Sequence, residues 1–489
     1  MSPLKQLASQ TAVYGLSSIL GRLINYLLVP LYTYLFTPAE YGVVSEFYAY
    51  AGFFAVVLVC GLETGYFRFR AGAEDKTYST ALYCVLLIGA VFLFALYAGL
   101  DWLASTLRYQ SHPEYLVWFG CILALDAAAA IPFARLRAEN RALRFAAIKF
   151  TEILLAVALN LYLIVYCRQA FETTPDSLSA GLYDPGVGVG YIFIANLIAS
   201  AFKMVLLVPQ LSGLKAGVDF RMLARLLRYS LPMVVIGLAG VINETLDRAI
   251  MKALLPYDLQ TNLHMLGVYG ACYKLSILMS LFIQAFRYAG EPFFFAQAGK
   301  QESARLYADV MRYFVIFCVF VFLLVTLYLD VFQYFIGESF RVGLEVVPIL
   351  LLANLFLGIY VNLSVWYKLT DRTGLGALVA LIGAAITVAL NVWWIPIFGY
   401  LGSAWATLIC YFVMCALSYA LSRRYYPVRY DLKAVTGYIL FGLAIFFANA
   451  RLIEPGGWHP LAAGSLSMSV FLIVTLALEL LRRRFSRIC

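Results

Sequence analysis

Several ionisable residues stand inside long apolar runs, where an ordinary lipid-facing side chain would be uncharged. Arg22, Lys274 and Arg287 are cations that could grip an anionic group through charge-assisted hydrogen bonds. Asp126, and less directly Glu63 and Glu152, are carboxylates that could load and release a proton or a sodium ion. In GLAGVINETLDRAIM (237–251), Glu244, Asp247 and Arg248 fall close together and could form part of a gate. Plainer alternatives stand beside each. Glu244 and Arg248 could be an i,i+4 pair satisfied by snorkelling, Glu63 with Arg68 or Glu291 with Arg287 could fasten helix ends, and Lys203 reads as a snorkeller. Arg22 and Asp126 differ, because neither has an opposite charge within one turn of its own helix.

What holds such residues depends on the solvent. The chain has 489 residues, is 63% hydrophobic and only 13% charged, and has a mean hydropathy of +0.83. A soluble domain carries about 25% charged residues, so the bilayer must be the solvent here. A spanning helix needs ~20 apolar residues. Fourteen candidates occur, near 9–36, 41–67, 78–100, 115–134, 146–167, 187–209, 229–251, 264–298, 313–329, 343–366, 374–397, 400–421, 434–450 and 460–481. The fold expected is all-α and polytopic, since outer-membrane strands would be ~10 residues of alternating pattern.

Basic residues set the orientation. With a cytoplasmic N-terminus, cytoplasmic segments hold 26 of the 36 Lys and Arg, the opposite loops five and the spans five. The positive-inside rule then places both termini in the cytoplasm. The start MSPLKQLASQTAVYG lacks a signal-peptide pattern, so the first helix is expected to be retained. The tail RRRFSR beside the last span reads as an anchor on anionic lipid, with no nucleic-acid partner. Nine scattered cysteines without CxxC and three histidines offer no disulfide framework and no metal site.

The chain also repeats. RLRAENRA (135–142) matches YKLTDRTG (367–374) at an offset of 231, and ALN recurs at 158–160 and 389–391 at the same offset. EYGVVSEFYAYAG (40–52) resembles MLGVYGACYKLSI (265–277). Six spans per repeat give both halves one orientation, like transporters with parallel repeats. The expected organisation is a six-helix bundle over 1–210, an amphipathic cytoplasmic linker helix over 211–228, a second six-helix bundle over 229–423, and two additional helices with a basic tail over 424–489. A cleft between such bundles would receive the charges within the spans.

TPAEYGVVSEFYAYAG after the first span, SLP opening the seventh, Asp247-Arg248 near its end and LGVYGACYKLSIL (266–278) in the eighth resemble the bacterial polysaccharide-biosynthesis flippases. These are O-antigen and capsule exporters of the MATE-like MOP superfamily. The resemblance spans about residues 1–423, and its usual twelve spans are exceeded here, as in the lipid II flippase branch. It implies a non-enzymatic carrier in the bacterial inner membrane. Such a carrier moves an undecaprenyl-pyrophosphate-linked oligosaccharide from the cytoplasmic to the periplasmic leaflet by alternating access. On that footing Arg22, Lys274 and Arg287 would hold the diphosphate, and Asp126, Glu63 or Glu152 would couple transport to H+ or Na+, without another cofactor. The expected partners are the lipid-linked oligosaccharide, membrane lipids and other polysaccharide-assembly proteins. A lipid II flippase, a MATE-type drug exporter and a membrane glycosyltransferase or polymerase remain alternatives. The drug exporter would favour acids over these cations. The enzyme would need more outer loop than RQAFETTPDSLSAGLYDPG (168–186) supplies.

Overall fold

The apolar runs fold as helices in a computed structural model, which describes residues 23–24, 26–70, 74–212, 214–215, 217–297, 303–453 and 457–485. No strand occurs among the described residues. In chain order the first elements are α1 (Tyr26–Leu35), α2 (Pro38–Val59), α3 (Leu62–Phe69), α4 (Glu74–Ala98), α5 (Leu100–Thr106), α6 (Pro113–Ala138) and α7 (Ala142–Asn160). A π-helix (Leu161–Cys167) carries α7 into α8 (Arg168–Thr173), and α9 (Gly190–Leu207) and α10 (Phe220–Leu254) follow. The remainder comprises α11 (Leu259–Leu275), α12 (Ile277–Gln297), α13 (Ser303–Leu327), α14 (Leu329–Phe332), α15 (Val346–Leu363), α16 (Val365–Leu369), α17 (Thr373–Tyr425), α18 (Leu432–Ile453) and α19 (Pro460–Phe485).

Among the described residues, eleven helices are long and apolar enough to cross a bilayer, and α11 with α12, bent by 48°, makes a twelfth if counted as one span. Fourteen is therefore not established among the described residues, for two reasons. Of the expected span 9–36 only the end is described. Spans 374–397 and 400–421 count as one in that eleven, within α17, although its 53 residues are two helical segments that meet at Gly399, where φ is +59°. Glycine has no Cβ to oppose that angle.

The expected separate linker helix at 211–228 also differs. Helix begins at Phe220 and continues through Pro232 to Leu254 without ending before the span. Asp219 starts it: its carboxylate accepts from the backbone N–H of Met222 and Arg221, both at 3.0 Å. Those bonds, the Met222 one foremost, hold the Asp219 carboxyl below its usual range. Asp258 caps α11 likewise, held low by the Thr261 hydroxyl and backbone N–H.

The chain divides into two units, residues 1–28 with 40–249 and residues 29–39 with 250–489. In the first, Phe47 on α2 is fully buried and meets Tyr109, Phe119 and Phe193 at centroid distances of 5.2, 5.0 and 4.9 Å. Helix α4 shows how each span divides its surface. Tyr78, Ala81, Leu82 and Val85 are buried, whereas Leu87, Val91, Phe94 and Tyr97 are exposed on an apolar stripe that suits lipid. The second unit has an apolar cluster of Ala353, Val379, Leu408, Cys410, Tyr411 and Met414. Its last two helices are fastened by polar contacts: the Tyr438 hydroxyl donates to Glu479 at 2.8 Å, and Arg312 on α13 lies 3.3 Å from the same carboxylate.

The matched repeats have matched backbones. Asn140 and Asp371, 231 residues apart, are left-handed, with φ of +57° and +55°. Each ends a helix in the same way: Arg141 N–H donates to Leu136 O at 2.9 Å, and Arg372 N–H to Tyr367 O at 2.8 Å. That is the six-to-one bond of a Schellman cap. Asn160 and Asn391, both fully buried, donate to the carbonyls of Ala156 and Thr387 at 2.7 and 2.8 Å.

Candidate functional site

Three helices of the first unit bring four charged groups together. The cap at Asn140 turns the chain back so that α7 lies beside α6, and α9 packs on both through Ala129, Phe133, Leu136, Phe145, Ile148 and Leu207. Along α9, Asn196, Ser200 and Lys203 recur at helical spacing on one face. Lys203 is at the centre. Its ammonium donates to Asp126 on α6 at 2.6 Å and to Glu152 on α7 at 2.5 Å. The Ser200 hydroxyl donates to the same Asp126 oxygen at 2.7 Å, and Lys149 donates to the other Glu152 oxygen at 3.2 Å.

Exposure is uneven across this cluster. The Lys203 side chain is 2% exposed and Glu152 is 16% exposed, whereas Asp126 is 48% exposed. A buried ammonium thus links an enclosed carboxylate to an accessible one. A buried charge is tolerated only when paired, and Lys203 is paired twice. The snorkelling reading of Lys203 is corrected accordingly: the side chain turns inward because two carboxylates from neighbouring helices await it.

Within the same unit, Glu63, Asp247 and Arg248 have other partners. Arg22 falls outside the described residues. Lys274 is half-buried in the last turn of α11, next to the bend, and Arg287 is exposed on α12. Glu63 forms an ion pair with Arg137 on α6, not with Arg68. It follows a break where Cys60 and Gly61 are left-handed, with φ of +51° and +64°. Asp247 is buried and lies 3.4 Å from the Arg248 guanidinium. Arg248 donates to the main-chain carbonyl of Glu244, whose own side chain is exposed. The i,i+4 link is therefore made through the backbone, and the charge partner is the adjacent aspartate.

One buried acid escaped the sequence reading. Glu46 on α2 is completely buried and accepts from the hydroxyls of Tyr50 and Tyr109, both at 2.6 Å. Tyr50 one turn along was a local signal; Tyr109, 63 residues away, gave none. Among the described residues no group of His, Cys, Asp and Glu could hold a metal ion.

Comparison with known proteins identifies the lineage. The chain is similar over 96% of its length to 99% of a lipid II flippase, MurJ, in an inward closed conformation, at 14% identity and a TM-score of 0.66. It is similar to a multidrug transporter, DinF-BH, over 87% of this chain and 97% of that one, at 16% identity and a TM-score of 0.62. An inward-facing multidrug resistance MATE family transporter of the MOP superfamily shares 85% and 94% coverage, 14% identity and a TM-score of 0.60. At such identities the likeness concerns the fold. No curated protein sequence matches. A family model for "Polysaccharide biosynthesis protein" matches residues 7–295, more than half of the chain. The multi-pass membrane protein described above, with a MOP-type transporter fold, belongs to the polysaccharide biosynthesis protein family.

Proposed function

We propose that the protein is a flippase for an undecaprenyl-pyrophosphate-linked oligosaccharide in the bacterial inner membrane, with both termini cytoplasmic. It serves surface polysaccharide export by alternating access, and its cargo moves from the cytoplasmic to the periplasmic leaflet. The observation that carries this reading is the family match over residues 7–295 in a chain with this fold. Arg22, Lys274 and Arg287 take the diphosphate, a task suited to cations that form charge-assisted hydrogen bonds. Asp126 and Glu152 take the coupling H+ or Na+. Asp126 suits that role because its carboxylate is both accessible and bonded to a buried lysine. Glu63, engaged with Arg137, is a weaker candidate. Asp247 and Arg248, with Glu244, contribute to an outer gate. Other polysaccharide-assembly proteins are its proposed partners.

The test is export in a host that lacks its own flippase for surface polysaccharide. Wild type restores the polysaccharide, and the Arg22→Ala/Lys274→Ala double variant, at matched protein level, does not. Full export by the double variant removes the diphosphate assignment. A second reading, lipid II as cargo, is favoured by the fuller coverage of the MurJ structure than of the two exporters. Rescue of growth in a host depleted of its lipid II flippase, without polysaccharide export, would select that reading.

A further inference from the structure

We propose that Lys203 selects the coupling ion: a tethered ammonium fills the place a sodium ion would need, so Asp126 exchanges protons alone. This inference rests on the reading of Asp126 and Glu152 as coupling residues.

The groups facing the cluster are Asp126 on α6, Glu152 and Lys149 on α7, and Ser200 and Lys203 on α9. Tyr48 on α2 stands in electrostatic range of Asp126, and its hydroxyl accepts from Asn196 at 3.1 Å. Two carboxylates and two ammonium groups sum to zero when all are ionised. Three of the four carboxylate oxygens are engaged. Lys203 and Ser200 share Asp126 Oδ1, Lys203 holds Glu152 Oε1 and Lys149 holds Glu152 Oε2. Only Asp126 Oδ2 remains, on the accessible residue of the pair.

A sodium ion needs a shell of several oxygens, as hard cations do. The position from which one cation could touch both carboxylates is taken by the Lys203 ammonium, 2.6 Å from Asp126 and 2.5 Å from Glu152. Evicting the ammonium would leave a charge without a partner at a position that is 2% exposed. A proton needs a single lone pair. Hydronium at the accessible side gives its proton to Asp126 Oδ2: one O–H bond breaks in the hydronium as one forms on the carboxylate, a water molecule leaves, and the aspartate becomes neutral. Lys203 keeps Glu152 as its counterion in that state, and release of the proton restores the double pairing. Lys203 touches no cargo in this scheme; it acts by position.

The test uses the full-length protein in phosphatidylcholine–phosphatidylglycerol vesicles. The carbonyl stretch of protonated Asp126, assigned by its loss in Asp126→Asn, is followed by infrared difference spectroscopy through a pH titration in KCl and in NaCl. Wild type should give the same half-point in both salts, as should Lys203→Arg, which keeps the cation. In Lys203→Gln, sodium at ten times its Kd should raise the proton concentration needed for half-protonation about tenfold, by competition at one site. A sodium-dependent half-point in the wild type overturns the proposal, and so does a Lys203→Gln protein that stays indifferent to sodium. The wild-type arm decides even where a variant does not fold. Neither arm contains cargo, so a failure here leaves the flippase reading to its own export test.

Discussion

Two copies of one helical hairpin, α6–α7 in the first unit and α15–α17 in the second, share a backbone and differ in charge. Both turn at a left-handed residue, Asn140 or Asp371, and both bury an asparagine, Asn160 or Asn391. At the same offset of 231, Asp126 meets Leu357 and Glu152 meets Gly383. Leu357 packs on the apolar cluster of the second unit, and the Gly383 carbonyl accepts from the Cys410 thiol at 3.4 Å. The hairpin is therefore built in the second unit without the carboxylates of the first. Buried ion pairs are weak sources of stability, because desolvation offsets their attraction. The hairpin therefore does not require the Asp126–Lys203–Glu152 cluster, which leaves it open to the coupling role proposed above.

The sharpest way to break that comparison is to unbalance the cluster. Lys203→Met leaves Glu152 enclosed without its main partner and should destabilise by about 3–5 kcal/mol, read as a fall in the melting temperature of the purified protein. The Asp126→Leu/Glu152→Gly/Lys203→Met triple variant puts the second unit's residues at 126 and 152 and removes the ammonium, and it should melt higher than the single one while losing transport. A triple variant that melts lower than Lys203→Met would show the cluster to be structural. The converse change, Leu357→Asp, places a charge in an apolar interface and should cost about 3 kcal/mol, without conferring any ion dependence.

Smaller effects sharpen the comparison. A Cβ at Gly65 would lie 2.8 Å from the Ser230 hydroxyl and 2.9 Å from Leu226. Gly65→Ala should therefore push α3 from α10 at about 1–3 kcal/mol, visible in thermal melting. Asn140→Val and Asp371→Val should each cost about 1–2 kcal/mol because a left-handed β-branched residue is strained. Glycine at either site should be tolerated. Unequal losses would show that the two turns are not equivalent. The smallest effect is a pH dependence. The Asp258 carboxylate is held below its usual range by Thr261, so its cap stabilises above the ordinary carboxylate range and fades as pH falls through the lowered value. Protection of the Thr261 amide, taken relative to its intrinsic exchange rate at each pH, should fall on acidification in the wild type and stay constant in Asp258→Asn.

What the sequence disclosed was whatever is local. Apolar runs predicted spans because bilayer thickness fixes their length, and RLRAENRA against YKLTDRTG disclosed the repeat because one short motif encodes one turn. Lys203 was misread because its depth along α9 suggested an easy route to water, while its partners arrive from residues 126 and 152 on other helices. Glu46 was missed for the same reason, since Tyr109 reaches it from a distant loop. Arg248 chose the neighbouring Asp247 over Glu244, a matter of rotamer that spacing alone does not decide. The continuity of α10 was hidden because Arg221, Arg225 and Arg228 gave its start a charged face while its continuation is apolar.

The left-handed pair has a consequence of its own. At residues 140 and 371 the chain stores a dihedral angle, and two different amino acids carry it, asparagine and aspartate. Kinship between the two halves can thus outlast the letters that once displayed it, and a search for ancient duplication in such carriers is better run on torsions than on alphabets.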